Sequence, residues 1–155
     1  MSNAFSIKDF MKEELKVEQI VEIPGIKTFC DKDGNPIPMK IRVITSGKLS
    51  ELRNLARKRT MAKDKKGKPI FQGGQIQFTE EVDTTLLTDT MIAESLVFPD
   101  LHDKELLAYY GEQEAVKLVH KVFAKIEDYQ YISDQITEVS GIGKDADELI
   151  DEAKN

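Results

Sequence analysis

The two halves of this 155-residue chain carry different hydropathy patterns. The first half has short runs of β-branched residues that end at turn-forming residues, as in Val17–Ile23, which stops at a Pro-Gly pair. From about residue 79 onward, apolar residues recur every three or four positions, which is typical of helices that bury one face. Because strands and helices are segregated along the chain, the sequence predicts an α+β fold and not a doubly wound βαβ fold. We expect one domain over residues 1–155. Its first part, about 1–78, should contain a small antiparallel β-sheet or hairpin region together with helices, and its second part, about 79–155, should be all-helical.

Cap and turn residues set the expected elements of the first half. Ser6 can cap a helix whose first turn contains Asp9, and Asp31–Asn35 forms a turn in which Gly34 supplies a positive φ. A Gly-Gly pair at 73–74 favours a small hairpin. The expected elements are a helix from Ser6 to Lys16, a strand Val17–Ile23, an extended segment Ile26–Cys30, a strand Ile37–Thr45 that completes a hairpin, a helix Ser46–Ala62 and a hairpin within Ile70–Phe78.

The second half is predicted to contain five helices. Thr79, followed by two glutamates, is typical of a helix start, and Pro99 prevents that helix from continuing. Gly111 and Gly141 stand where left-handed residues commonly end helices. The predicted helices are Thr79–Leu96, His102–Tyr110, Glu112–Lys125, Glu127–Ser140 and Asp145–Ala153.

Composition narrows the chemistry that this chain can perform. A single cysteine, Cys30, excludes an internal disulfide and a cysteine-based zinc site, and the two histidines are too few for a histidine-rich metal site. We expect Cys30 to be a small buried residue, and His102 and His120 to be exposed or capping residues. The sequence has no P-loop or dinucleotide-binding motif, and Asp31–Asn35 lacks the spacing of a calcium loop. These observations predict a protein with no enzymatic activity, cofactor or metal.

The ends and apolar stretches of the chain bear on its location. The N-terminus lacks the apolar core of a secretory signal, and no apolar stretch is long enough to span a membrane. A lone cysteine in a highly charged chain suits a reducing compartment. We therefore expect a cytoplasmic protein without membrane contact.

Charge is concentrated in two segments. Residues 48–68 contain nine basic and two acidic side chains, whereas residues 79–155 contain six basic and nineteen acidic ones. Such a basic segment can bind phosphates, which leaves a nucleic-acid-binding or regulatory function as an alternative. The net charge of −6 argues against it, and no aromatic residue for base stacking lies within the segment, so a solvated face or docking to an acidic protein is favoured. The basic patch, placed on one side of the predicted helix and on the turn after it, comprises Arg53, Arg57, Lys58, Arg59, Lys63, Lys65 and Lys66.

Apolar and aromatic residues are numerous in the helical half. Most of them must form the core, but tyrosines combine an apolar ring with a polar end and are enriched at protein interfaces. We interpret the surplus as a groove for a partner helix. The candidates for partner binding are Leu101, Leu106, Leu107, Tyr109, Tyr110, Tyr129 and Tyr131.

One segment carries a family resemblance. The run Leu96–Leu107 contains Pro99 and an Asp-Lys-Glu-Leu helix start, Tyr-Tyr-Gly follows at 109–111, and Val139–Ile142 reads Val-Ser-Gly-Ile. With the N-terminal helix, Val-rich strand and hairpin, these elements resemble the XkdN-like phage tail assembly chaperones from about Phe5 to Ile142. The chain departs from the family pattern between the last two helices, where members commonly carry a Gly-Glu-Tyr-like turn and this chain reads Ile-Glu-Asp-Tyr.

The resemblance implies a non-enzymatic role in phage or prophage tail assembly. Such chaperones hold the long, helical, aggregation-prone tape-measure protein soluble until tail-tube subunits polymerise around it. The implied partner is the tape-measure protein, with the tail-tube protein as a further candidate and self-association into a homo-oligomer left open. The implied location is the cytoplasm of the bacterial host and not the mature virion. A phage-encoded nucleic-acid-binding or regulatory protein that uses residues 48–68 stays the alternative.

Overall fold

A computed structural model describes residues 4–142 of the chain and confirms an α+β fold. The strands within this range pair antiparallel, and they form one three-stranded sheet and two separate two-stranded ribbons. The elements are β1 (Ile20–Ile23), β2 (Met39–Arg42), α1 (Ser46–Leu55), β3 (Arg57–Met61), β4 (Phe71–Gln72), β5 (Gln75–Ile76), β6 (Phe78–Val82), α2 (Thr84–Ser95), β7 (Leu96–Phe98), α3 (Lys104–Tyr110), α4 (Ala115–Val122) and α5 (Ile126–Ser140).

The three-stranded sheet has the order β1-β2-β7 and supplies one wall of the core. Side chains alternate across a strand, and Met39 and Ile41 of the central strand are buried while Lys40 between them is exposed. The buried face packs in one hydrophobic cluster with residues of the helices. The large side chains buried to about 98% or more within this cluster are Ile41, Leu52, Ile92, Leu96, Leu101, Leu118, Val119, Phe123, Ile132 and Ile136.

The prediction of an all-helical second half is wrong. Leu96, the expected end of a helix, is the first residue of strand β7, and it pairs with Ile41 of β2. Leu96–Phe98 thereby adds a third strand to a sheet whose other strands come from the first 42 residues. A cis peptide bond joins Phe98 to Pro99 directly after the strand. A three-residue apolar run fits a helix end as well as a strand, and here the long-range pairing decides between them.

The predicted helices Ser46–Ala62 and Thr79–Leu96 are both too long. The first ends at Leu55, and Arg57–Met61 forms strand β3, which pairs along its length with β6. The second begins at Thr84, where the Asp83 side chain caps it by accepting the Leu86 N–H at 3.1 Å. Strand β3 thus takes the place of the last turns of the first predicted helix, and strand β6 takes the place of the first turns of the second.

Several local predictions are confirmed, and others need correction. Ser6 forms the expected cap, and its own N–H also donates to the Asp9 carboxylate at 2.7 Å. The cap begins a short 3₁₀ turn (Ile7–Phe10) rather than a helix reaching Lys16. The hairpin around the Gly-Gly pair is present as β4–β5, and α3 ends at Gly111 with φ 71°. The expected segment Ile26–Cys30 is not a strand, since it contains only an isolated bridge from Cys30 to Pro36. The predicted helix Asp145–Ala153 lies outside the described residues.

Gly25, two residues after the end of β1, leaves no room for a side chain. A Cβ added there would overlap the carbonyl group of Ile37, which belongs to the backbone and can move only with its segment. We expect Gly25→Ala to destabilise the protein by about 1–3 kcal/mol, as measured by urea unfolding. Gly47→Ala is the matched control, because nothing lies within 4 Å of its Cβ and alanine favours helix α1. A neutral Gly25→Ala would contradict the close approach of these two segments.

Candidate partner-binding groove

An apolar groove of about 160 Å³ opens beside the edge strand β7. It is bounded by the connection between β1 and β2, by the end of β7, by α3 and by the end of α4. Every residue that lines it is apolar or aromatic, which is the character of sites that receive apolar side chains of a ligand. The lining residues are Ile26, Phe29, Ile37, Met39, Phe98, Pro99, Leu106, Tyr110, Val122 and Phe123.

Helix α3 supplies two of the residues predicted to bind a partner. Leu106 and Tyr110 are four positions apart, so they lie on the same side of the helix and both reach the groove. The Asp103 side chain accepts the Leu106 N–H at 3.0 Å and thereby defines where the helix starts. Tyr109 is 80% exposed, and its ring meets that of Tyr110 edge-on at 4.9 Å. The caps at both ends of α3 thus fix the position of this apolar pair.

A second, shallower hollow adjoins the groove. Asp103, Glu105, Leu106 and Tyr109 line it, so Leu106 belongs to both depressions. Its two carboxylates give this end of the surface a negative potential, whereas the groove itself is apolar. A ligand that covers both would need an apolar stripe with basic residues beside it.

The sequence analysis did not predict one exposed aromatic residue that lines the groove, Phe98. Phe98 is 53% exposed although it follows the buried start of β7. Phe98 lies within the family-like run Leu96–Leu107 but is not among the predicted partner-binding residues. The available signal was a large aromatic residue immediately before a proline at the end of an apolar run. Phe29 and Ile37 come from the β1–β2 connection, and only the tertiary fold brings them here.

The other predicted partner-binding residues do not line the groove. Leu101 is 0% exposed and belongs to the core, and Leu107 is half-buried against it. Tyr129 donates its hydroxyl to Asp89 at 2.7 Å, and Tyr131 donates to the carbonyl oxygen of Pro24 at 2.6 Å. Of the seven candidates, the fold brings together Leu106 and Tyr110, with Tyr109 on the rim.

Asp89 anchors a polar cluster between α2, α4 and α5. The residue is only 7% exposed, and its carboxylate contacts the Tyr129 hydroxyl and, at 2.8 Å, the Nε2 of His120. The His120 ring stacks on Tyr129 with 4.9 Å between centroids. Burial, then the hydrogen bond and negative charge of Asp89, raise the pKa of the Tyr129 hydroxyl. His120 therefore has a specific internal partner that its charged sequence neighbourhood did not indicate.

The remaining titratable candidates have separate partners. Cys30 is exposed, contrary to the prediction of a small buried residue, because it follows a surface turn where its Sγ lies 3.2 Å from the carbonyl oxygen of Lys27. His102 Nε2 is 3.7 Å from a Glu94 carboxylate oxygen on the surface. Among residues 4–142, no group of three or more His, Cys, Asp or Glu side chains is arranged to hold a metal ion.

The basic residues do not share one helix face, which corrects the sequence interpretation. Arg53 lies on α1, but Arg57, Lys58 and Arg59 lie on strand β3, where successive side chains point to opposite faces. Glu81 and Glu80 of β6 stand opposite Lys58 and Arg59, and Glu80 also approaches Arg57 to 3.8 Å. The exposed lysines of the patch, Lys63, Lys65 and Lys66, surround a turn closed by the Asp64 side chain.

Comparison with known proteins decides the family. A sequence model of the phage XkdN-like tail assembly chaperone proteins matches residues 7–154. The chain belongs to this family. The match spans almost the whole sequence, so it includes the groove, the ribbon β3–β6 and the polar cluster. No helix within residues 4–142 of this tail assembly chaperone is long and apolar enough to cross a bilayer.

Two relatives from Bacillus subtilis (strain 168) align with nearly the full chain. The phage-like element PBSX protein XkdN is 26% identical over 153 residues, covering 99% of this chain and 96% of XkdN. The uncharacterized protein YqbN is 26% identical over 151 residues, covering 97% and 94% of the two chains. A crystal structure of a protein YqbN superposes with a TM-score of 0.67 at 21% identity, covering 91% of this chain and all of that one, and it shares the fold.

Proposed function

We propose that this tail assembly chaperone binds the tape-measure protein through the groove beside β7 and keeps it soluble until tail-tube subunits polymerise. The observation that carries the proposal is a wholly apolar groove, open to solvent, in a chain of the tail assembly chaperone family. We further propose that it acts in the host cytoplasm, that it is absent from the mature virion, and that the tail-tube protein is a second partner that displaces it.

The dimensions of the groove suit an amphipathic helix. A volume of about 160 Å³ holds one or two large apolar side chains, such as those a helix presents at positions i and i+4. Exposed Phe98 and Tyr109 would cover the flanks of that stripe. Tape-measure helices with repeated apolar faces and neighbouring lysines or arginines would match both the groove and the acidic hollow next to it.

The charge of the chaperone fits a solubilising role. Residues 79–155 carry far more acidic than basic side chains, so a tape-measure protein covered by several copies would become strongly negative and resist aggregation. A single small groove gives a modest affinity, which permits release when tube subunits compete. Many weak contacts along one long partner would still provide avidity. This role requires binding and no catalytic step.

The nucleic-acid alternative has less support from the fold. Strand β3 carries three adjacent basic residues, but its partner strand β6 carries Glu80 and Glu81 opposite two of them. Lys58 also lies 4.0 Å from the Asp83 carboxylate. A phosphate backbone approaching the ribbon would meet acidic and basic groups together, so we retain the protein-binding function alone.

Phe98→Asp tests the groove in a co-expression pull-down. The tagged chaperone and the tape-measure gene of the same operon are expressed together, and soluble tape-measure protein is recovered on the tag. We expect the wild type to recover it and Phe98→Asp to weaken binding about 10- to 100-fold, because a charged group replaces an apolar contact.

Ile126→Asp is the matched control for this experiment. Ile126 is 77% exposed, does not line the groove and begins helix α5, where an acidic residue is favoured. It should recover tape-measure protein like the wild type, and circular dichroism should show both variants folded. Equal recovery by folded Phe98→Asp would refute the groove as the binding site, and no recovery by the wild type would refute the tape-measure partner.

A further inference from the structure

The ribbon β3–β6 stands apart from the main sheet and is open along both sides. Nine of its ten side chains are exposed, with Thr60 half-buried. Within residues 4–142, neither strand pairs with a third one. Two-stranded ribbons are only marginally stable alone, and further strands or a packed face are what usually stabilise them. The ribbon therefore has the form of an incomplete sheet.

Hydrogen bonds at the two ends of the ribbon identify its outward-facing backbone groups. Asp83 N–H donates to Ala56 O at 2.8 Å, and Ala62 N–H donates to Gln77 O at 2.9 Å. Hydrogen-bonded and non-hydrogen-bonded pairs alternate in an antiparallel ladder, so the residues at odd positions of β3 and even positions of β6 direct N–H and C=O groups outward. These residues are Arg57, Arg59 and Met61 on β3 and Phe78, Glu80 and Val82 on β6.

The same six residues place their side chains on one face of the ribbon. Arg59 illustrates this, since its guanidinium lies over the Phe78 ring at 4.0 Å from the centroid. Met61, Phe78 and Val82 are large apolar side chains on that face, and all three are exposed. Added strands would cover part of this apolar surface as well as satisfy the open edges.

The charges of the two strands determine which edges can meet. Strand β3 begins Arg-Lys-Arg, and β6 contains two adjacent glutamates. Two β3 edges repel each other, as do two β6 edges, so neither edge favours pairing with its own kind. A β3 edge and a β6 edge attract each other. Charged residues on edge strands often prevent sheets from associating. Here one edge is basic and the other acidic, so repulsion prevents β3–β3 and β6–β6 pairing but not β3–β6 pairing.

We propose that the β3 edge of one chaperone copy pairs with the β6 edge of a second copy. The two ribbons then form a continuous four-stranded sheet in which Lys58 and Arg59 face glutamates of the neighbouring copy. Because the two surfaces differ, each dimer leaves one β3 edge and one β6 edge free, and further copies can add in the same direction. This contact uses no residue of the groove, so its failure would leave the proposed tape-measure binding untouched.

Sedimentation velocity of the full chain, over a range of protein concentrations and at low and high salt, tests the contact. We expect concentration-dependent association that weakens as salt rises, since the charges are exposed. Glu80→Pro removes an outward N–H that the ribbon itself does not use, and it should weaken association about tenfold or more while circular dichroism shows a folded chain. A wild type that stays monomeric throughout would overturn the proposal, as would a folded Glu80→Pro that associates normally.

Two proline variants, each blocking one edge, test the proposed polarity. Arg59→Pro removes an outward N–H from β3, as Glu80→Pro does from β6, because these two residues form a pair whose N–H groups the ribbon does not use. Neither variant should associate with itself, since every β3–β6 contact would then contain a blocked edge. A mixture of the two should form a dimer through the intact β3 edge of Glu80→Pro and the intact β6 edge of Arg59→Pro. Normal self-association of one folded variant, or no dimer in the mixture of folded variants, would overturn the β3–β6 polarity.

Discussion

Leu101→Ala is expected to lower the free energy of unfolding by about 2–5 kcal/mol. The side chain is 0% exposed and belongs to the continuous core, so its removal leaves a cavity that neighbours cannot fill without moving. Urea unfolding followed by circular dichroism measures the effect. The sequence suggested Leu101 for partner binding, and a large loss of stability would instead identify it as a residue that holds the segment before α3 against the core.

Tyr109→Ala is the comparison for this prediction. Tyr109 lies only eight positions further along but is 80% exposed, and its truncation should change the unfolding free energy by less than about 1 kcal/mol. If Leu101→Ala were as mild as Tyr109→Ala, the placement of Leu101 in the core would be wrong.

Local patterns predicted those parts of the fold that local forces determine. Asp103 as a cap and Gly111 as a left-handed residue predicted where helix α3 begins and ends, and the Gly-Gly pair predicted the hairpin β4–β5. Amphipathic spacing likewise placed α4 and α5, because each buries one continuous stripe. In these elements, the residues that make the structure are within a few positions of one another.

The ribbon β3–β6 could not be read from local patterns. Arg57–Met61 directly follows the helical spacing of Leu49, Leu52, Leu55 and Ala56, and arginine and lysine favour helices slightly. Its strand partner lies about twenty residues away, and the matching of basic with acidic residues becomes visible only after the register is known. Strand β7 is similar, since its three residues pair with a strand more than fifty positions earlier.

The groove was predictable only in part for the same reason. Leu106 and Tyr110 share a helix face, so the sequence could select them together. Phe98 and Phe29 join them from a strand end and a distant connection, which no spacing rule relates to α3. Conversely, aromatic character alone suggested Tyr129 and Tyr131 as partner contacts, but their hydroxyls are used inside the fold.

Tyr129→Phe should lower the free energy of unfolding by about 1.5–3 kcal/mol at neutral pH. The change removes the hydroxyl that donates to the buried Asp89 carboxylate at 2.7 Å, and hydrogen bonds to charged groups contribute about this much. Within the described part of the chain, the half-exposed His120 is then the one side-chain partner that the Asp89 carboxylate keeps. Tyr109→Phe, at an exposed ring, is the control and should change stability by less than about 0.5 kcal/mol.

The difference in unfolding free energy between the wild type and Tyr129→Phe depends on pH, and this dependence distinguishes a lost hydrogen bond from a general packing defect. The fold raises the pKa of Tyr129 above its ordinary value of 10.0, so the neutral hydroxyl stabilises the native state fully below about pH 10. Above that pH the unfolded chain loses the proton first, and wild-type stability falls as pH rises toward the native pKa. The phenylalanine variant lacks this dependence. The stability gap between the two proteins should therefore stay constant from neutral pH to about pH 10 and narrow above it. A gap that persists unchanged into alkaline solution would show that folding does not raise the pKa of Tyr129.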